Sequence, residues 1–366
     1  MARMLLSPSK YMQGARELAN LGRYTTEYGK KAFILTTEFA YKSAGSMLEE
    51  GFKRSKCEYI VECFQGECSR KEINRLKEVA KQEACDVIIG LGGGKILDIA
   101  KAVAYYANTP VIICPTSAST DAPCSAISVL YSDEGIMEQY LYLPSNPNLV
   151  LVDTEIIANA PVRLTVSGMG DALSTYIEAR AVKAKGAKTA LGGQATEAAF
   201  AIAKLCFDTL MEEGVKAKRA LEAGECTEAV EKIIEANILL SGIGFESVGL
   251  AGAHAVQNGL NILEECRHMY HGEKVAFGTI VQLVLEDAPV KERDRVIDFC
   301  IAVGLPVTLE ELGIIEGTEE IAMQVAQAAC AEGSTMNNMA VEVTVESVCA
   351  AILAASQFGK QKLKKA

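Results

Sequence analysis

Up to Pro161, short apolar runs rich in Val, Ile and Phe alternate with amphipathic stretches, the pattern of a parallel sheet whose strands are joined by covering helices. Lys31–Thr36, Glu58–Phe64, Asp86–Gly90, Val111–Cys114 and Leu149–Asp153 read as strands. Phe39 to Gly51 reads as the helix after the first strand, and Ser69 as the N-cap of a charged helix reaching Gln82, with Glu72 placed to close a capping box. Ile127–Tyr131 and Gln139–Leu143 flank Asp133-Glu134-Gly135, the signature of a hairpin that decorates the sheet. Beyond Pro161 long alanine-rich stretches take over. They are broken at Gly186, Gly192-Gly193, Gly214, Gly224, Gly242, Gly259, Gly304-Leu305-Pro306 and Gly333, spaced as turns between helices. The expected fold is an α/β domain over residues 1–161 and an all-α domain over 162–366, with a cleft between them.

The length of 366 residues supports two domains, because a single core stops growing near about 250 to 300 residues. A hydrophobic fraction of 49% indicates a large core, and a net charge of -11 disfavours nucleic acid or an anionic membrane surface as partner. No stretch reaches the roughly 20 apolar residues that span a bilayer. The start, with Arg3 followed by no long apolar segment, reads as neither signal peptide nor anchor, so the chain is expected to be cytoplasmic. Its 12 cysteines include no Cys-x-x-Cys pair and read as free thiols in a reducing compartment.

Chemistry concentrates in three places. Gly92-Gly93-Gly94-Lys95 joins a strand directly to a helix, leaving backbone N–H groups free of Cβ hindrance: a candidate phosphate cradle, or only a tight turn. Thr116-Ser117-Ala118-Ser119-Thr120-Asp121 follows the next strand, at the same edge of the sheet, and its one charge makes a binding role for Asp121 the better reading. The chain has only three histidines, and two of them, His254 and His271, lie in one small-residue region. They are candidates for metal ligation or proton transfer, and Asp171, opening an alanine-rich run, is the carboxylate best suited to join them.

Six motifs in order, Gly-Gly-Gly-Lys at 92–95, Pro-Thr-x-x-Ser-Thr-Asp-Ala-Pro at 115–123, Gly-Asp-Ala-Leu at 170–173, Gly-Phe-Glu-Ser at 244–247, Ala-His-Ala-Val at 253–256 and His-Gly-Glu-Lys at 271–274, resemble the glycerol dehydrogenase family. This is the zinc-using branch of the iron-containing alcohol dehydrogenases. The resemblance runs over almost the whole chain and implies a Rossmann-like first domain, a helical second domain, a catalytic zinc in the cleft and a homo-oligomer, often an octamer. It implies Asp171, His254 and His271 as metal ligands and Asp121 as the polyol contact, with Asp121 and His254 carrying the catalysis. Gly92, Gly93, Gly94, Lys95, Asp98, Thr116, Ser119, Ser125, Ile127 and Tyr131 would hold NAD. The implied reaction is oxidation of glycerol or a related vicinal diol by hydride transfer from a zinc-bound alkoxide to NAD.

The chain departs from the family pattern at three positions. Thr37 stands where relatives carry an aspartate for the adenosine ribose, which leaves NADP open beside NAD. Gln257 takes the place of a frequent histidine. Thr175 stands where the iron-using branch has a histidine one turn after the metal aspartate, leaving three protein ligands and open coordination positions, as a catalytic zinc requires, although the same donors suit Fe(II). Phe245 is a candidate cap on the pocket. The alternatives are a dehydrogenase for another small alcohol, diol or hydroxy acid, and a 3-dehydroquinate synthase-like lyase. The apolar 241–262 stretch lacks the basic cluster that such a lyase needs.

Overall fold

A computed structural model describes residues 2–64, 66–189 and 192–365. Six parallel strands form the central sheet in the order Tyr11–Gly14, Leu149–Asp153, Val111–Pro115, Val87–Gly92, Lys31–Thr36, Glu58–Cys63. The alternation of a strand sends successive side chains to opposite faces. Ala32 and Ile34 pack with Leu48 and Phe52 of the helix Glu38–Lys53, whereas Phe33 and Leu35 pack with Leu76 and Val103 of the helices Arg70–Gln82 and Gly94–Ala107. Both faces are thereby covered, which explains why these strands read as nearly continuous apolar runs.

All five expected strands are present, and the hairpin forms from Ile127–Tyr131 and Met137–Tyr142 with a bulge at Leu130/Tyr131. The edge strand Tyr11–Gly14 is short, carries Gln13 and Gly14, and has no apolar run to announce it. Ser69 caps its helix as expected, but Glu72 does not close a capping box, because its carboxylate pairs with Arg75 at 2.6 and 2.8 Å.

From Val162 onward the regular elements among the described residues are helices, apart from Gln194–Ala195, which pairs with Arg3–Met4. Among the described residues no single helix is long and apolar enough to cross a membrane. Gly186, Gly192, Gly224, Gly304 and Gly333 take positive φ in turns, as the sequence suggests. Gly214, Gly242 and Gly259 correct that reading: each lies inside a helix, at a place where a neighbour touches the backbone. A Cβ on Gly259, for example, would stand 2.5 Å from the Val325 carbonyl oxygen.

The same device brings the central helices together. A Cβ on Gly170 would lie 2.3 Å from the Gly272 oxygen, one on Gly272 1.8 Å from the Ser167 oxygen, and one on Gly278 2.3 Å from the Ala253 oxygen. The helices Val162–Lys185, Gly252–Leu260 and His271–Leu285 therefore cross with their backbones in direct contact. Polar ties join this bundle to the sheet side. Asn237 Nδ2 donates to the carbonyls of Ala118 and Thr165 at 2.9 and 3.0 Å. Glu246 accepts from the Ala126 N–H at 2.7 Å and from Asn146 Nδ2 at 2.5 Å.

Replacing Gly272 with Ala must push two helices apart and is expected to cost roughly 3 kcal/mol or more. Gly93→Ala, whose added Cβ meets nothing within 4 Å, should leave stability nearly unchanged. Thermal unfolding of the two variants beside the parent protein checks the contrast.

Candidate active site

Asp171 sits midway along the Val162–Lys185 helix, His254 in the first turn of Gly252–Leu260, and His271 at the first position of His271–Leu285. The glycine crossings converge these three points. One ligand atom from each residue lies within 4.8 Å of the others. Asp171 Oδ1 faces His254 Nε2 at 3.4 Å and His271 Nε2 at 3.2 Å, and it is buried without a hydrogen-bond partner. Asp171 is 1% exposed and the His271 side chain 38%, so the trio opens to solvent on the His271 side.

An orphaned carboxylate oxygen aimed between two ring nitrogens fits a divalent cation, since two imidazoles and a carboxylate are a common donor set for zinc or Fe(II). Burial raises the Asp171 carboxyl, but His271 and His254 outweigh it and hold the group below the usual carboxylate range. Burial opposes charge on His254, yet Glu178 and Asp171 hold its pKa well above the ordinary value. A cation binding at His254 Nε2 therefore competes with a proton for that ring.

Glu178, two turns beyond Asp171 on the same helix, fixes His254. Its Oε2 meets His254 Nδ1 at 2.7 Å, and its Oε1 accepts the N–H groups of Ala251 at 2.7 Å and His254 at 2.9 Å. It thus caps the short His254 helix and turns Nε2 toward Asp171. Arg163, on the Asp171 helix, grips Glu273 in the first turn after His271 through bonds of 2.6 and 2.8 Å. That clamp sets His271 against Asp171.

The crevice at the strand ends meets this trio. Thr36 pairs with Leu91, and Gly92 with Pro115, so the loops beginning at Thr37, Gly93 and Thr116 leave the same edge. The helices after Thr37 and Gly93 run on opposite faces of the sheet, which makes this the topological switch point where ligands of such sheets sit. Gly93 and Gly94 border open space at the start of the Gly94–Ala107 helix. Thr37 caps its own helix, accepting the Ala40 N–H at 3.1 Å. Lys95 is paired with Glu67 at 2.5 Å, and the Thr116 N–H donates to the Gly92 carbonyl at 3.0 Å. Ser119 Oγ lies 3.2 Å from Ser117 Oγ, Ser125 Oγ donates to the Ala122 carbonyl at 3.2 Å, and Tyr131 ends the first hairpin strand.

Asp98 is buried, with its carboxylate 3.2 Å from Lys101 Nζ. Lys101, 1% exposed, donates to the carbonyls of Ala122 and Ile127, and so pins the Thr116–Ser125 loop and the hairpin to the glycine-turn helix.

Asp121 stands at the junction of crevice and trio. Its N–H donates to Asp171 Oδ2 at 3.3 Å and its Oδ2 accepts from Ser241 at 2.8 Å. Burial and then the neighbouring Asp171 push its carboxyl well above the ordinary value, while His254 and then Ser241 pull it back. Phe245 is half-buried, and Gln257 is buried one turn beyond His254.

Sequence reasoning did not find Glu178, Lys101, Arg163 with Glu273, or Ser241. Glu178 left a signal, an acid seven residues after Asp171 on the same helical face of an apolar run, while Lys101 closes the Gly-Gly-Gly-Lys-x-x-Asp-x-x-Lys run at 92–101 and Glu273 lies in His-Gly-Glu-Lys.

Residues 8–154 match the family model of iron-containing alcohol dehydrogenase. The glycerol dehydrogenase of Citrobacter freundii is 52% identical over 99% of this chain and 100% of its own, and the glycolaldehyde reductase of Halobacterium salinarum is 42% identical over 99% of both. The crystal structure of a probable glycerol dehydrogenase from Sinorhizobium meliloti 1021 superposes with a TM-score of 0.92 at 44% identity, over 98% of this chain and 100% of that one. With these relatives matching along the whole chain and not only its sheet half, the protein belongs to the iron-containing alcohol dehydrogenase family, on its glycerol dehydrogenase branch.

Proposed function

We propose that the protein oxidises glycerol, or a related vicinal diol, to the hydroxyketone, with NAD as hydride acceptor. The observation that carries this reading is the meeting of Asp171, His254 and His271 beside Asp121, at the mouth of the strand-end crevice. A zinc ion held by those three residues would supply Lewis acidity, easing loss of the hydroxyl proton of the alcohol under attack. Bound NAD would supply the acceptor for the hydride of the carbinol carbon, with the hydroxyl proton passing to water or to the ribose hydroxyls.

The chain's own residues do the rest by placement. Gly93 and Gly94 offer N–H groups and a helix start to a pyrophosphate. The Thr116–Ser125 loop, pinned by Lys101, would help hold the cofactor, and Asp121 would accept from the substrate's second hydroxyl. Buried acids hold the imidazoles in one orientation, so little rearrangement accompanies the reaction. The H. salinarum relative favours a second reading, a reductase of small hydroxyaldehydes working through the same site. A homo-oligomer and division into domains at Pro161 belong to the same proposal.

The test is reduction of NAD and NADP with glycerol, 1,2-propanediol, 2,3-butanediol and hydroxy acids, after chelation and with zinc or iron restored. Activity on diols that disappears with the metal and returns with zinc is the expected result. Activity confined to a phosphorylated compound overturns the reading.

His271→Ala should abolish both bound metal and turnover, checked by metal analysis of the purified protein; full occupancy at a normal rate would disprove the ligand assignment. Glu178→Gln keeps the shape but weakens the hold on His254 Nδ1, and metal affinity should fall by roughly 10- to 100-fold in a competition titration with a chelating dye. Thr37→Asp retains a capping oxygen while adding a charge that repels a 2′-phosphate. The preference for NAD over NADP in kcat/KM should rise about tenfold or more, a ratio of charge repulsion that steady-state kinetics measures directly.

A further inference from the structure

We propose that Ser241, held by Thr175, is a positioning residue that aims the Asp121 carboxylate at the second hydroxyl of a vicinal diol, and so sets the preference for diols over monohydric alcohols. The inference rests on the diol reading above and assigns its selectivity to named groups.

Ser241 opens the helix Ser241–Val248, directly after a π-helical turn at Ala236–Leu240. Its hydroxyl donates to Asp121 Oδ2 at 2.8 Å and lies 2.9 Å from Thr175 Oγ1. A serine has one proton to give. With that proton on Asp121, Thr175 is the donor to Ser241. Ser241 and Thr175 are 0% and 1% exposed, so water does not compete for either bond.

The packing is built around this hydroxyl. A Cβ on Gly242 would lie 3.1 Å from the Asp121 carbonyl oxygen and 2.8 Å from Cys124 Cβ. One on Gly244 would lie 2.5 Å from Thr175 Cγ2. The helix is thus stripped of side chains on the two positions that flank its contacts, which lets it wedge between the Asp121 loop and the Thr175 helix with Ser241 reaching both.

Thr175 lies one turn beyond Asp171 on the same helix. Asp121 therefore has two tethers to that helix: its N–H to Asp171 Oδ2, and its carboxylate through Ser241 to Thr175. Together they hold the carboxylate at a set distance from Asp171. Oδ2 is committed to Ser241, which leaves Oδ1 for the substrate. A monohydric alcohol has no group to meet it, so its turnover is indifferent to how Asp121 is aimed.

The experiment compares kcat/KM for glycerol, 1,2-propanediol and 2-propanol, with NAD and restored metal, in the parent protein and in Ser241→Ala, Ser241→Thr and Thr175→Val. Losing the buried hydrogen bond that orients Asp121 should lower diol kcat/KM about tenfold in Ser241→Ala, with 2-propanol changed less than about twofold. Thr175→Val should shift the ratio in the same direction by a smaller factor, and Ser241→Thr should restore it. Bound metal and KM for NAD should stay at parent values. Equal losses on diols and 2-propanol, or an unchanged ratio in Ser241→Ala, overturn the inference while leaving the diol reading in place. Should Ser241→Ala fail to fold, an unchanged ratio in Thr175→Val overturns it instead. Absence of any diol preference in the parent protein overturns both.

Discussion

A carboxylate oxygen buried between two imidazoles, with no hydrogen bond of its own, is the interaction around which the rest is arranged. Burying an ionised group without partners is costly, and the cost is tolerated only where opposite charge stands close by. Asp171 meets that condition through His254 and His271, and a cation shared by the three would meet it more fully. Each neighbour in turn is braced, His254 by Glu178 and His271 by the clamp of Arg163 on Glu273. Remove the carboxylate and those braces hold nothing in place.

Convergence of this kind needs helix backbones closer than side chains normally allow. Glycines 170, 272 and 278 mark the crossings where that approach occurs, and glycines 242 and 244 repeat the device for the helix that carries Ser241. The chain thereby accepts the helix-weakening effect of interior glycine in exchange for geometry. The sheet contributes the other half. Its strand ends deliver the glycine turn and the Thr116–Ser125 loop to one edge, and buried Lys101 fastens that loop through main-chain carbonyls. Asp121 is where the two halves touch.

Local pattern made much of this readable. Buried strands announced themselves as apolar runs, because both faces of the sheet are covered, and Ser69 acts as the cap its position suggests. The edge strand Tyr11–Gly14 was silent, having no buried run to display. Gly186, Gly192, Gly224, Gly304 and Gly333 were legible as turns, but Gly214, Gly242 and Gly259 were misread as such, because a glycine kept for close packing looks the same in sequence as one kept for backbone freedom. Likewise Glu72 satisfied the spacing of a capping box, and Arg75 outcompeted the backbone for it.

What the sequence by itself determined is the inventory: which segments bury which faces, and that His254 and His271, with Asp171 as the best-suited carboxylate, were the candidate metal donors. Periodicity, capping chemistry and residue scarcity are local properties, written in order along the chain. Only the tertiary structure decided which groups face one another. Glu178 behind His254, Ser241 between Thr175 and Asp121, and Lys101 beneath the substrate-side loop are contacts between segments far apart in sequence. Their partners are chosen by how closely the helices cross, and that distance is a property of packed backbones that no single stretch of residues carries.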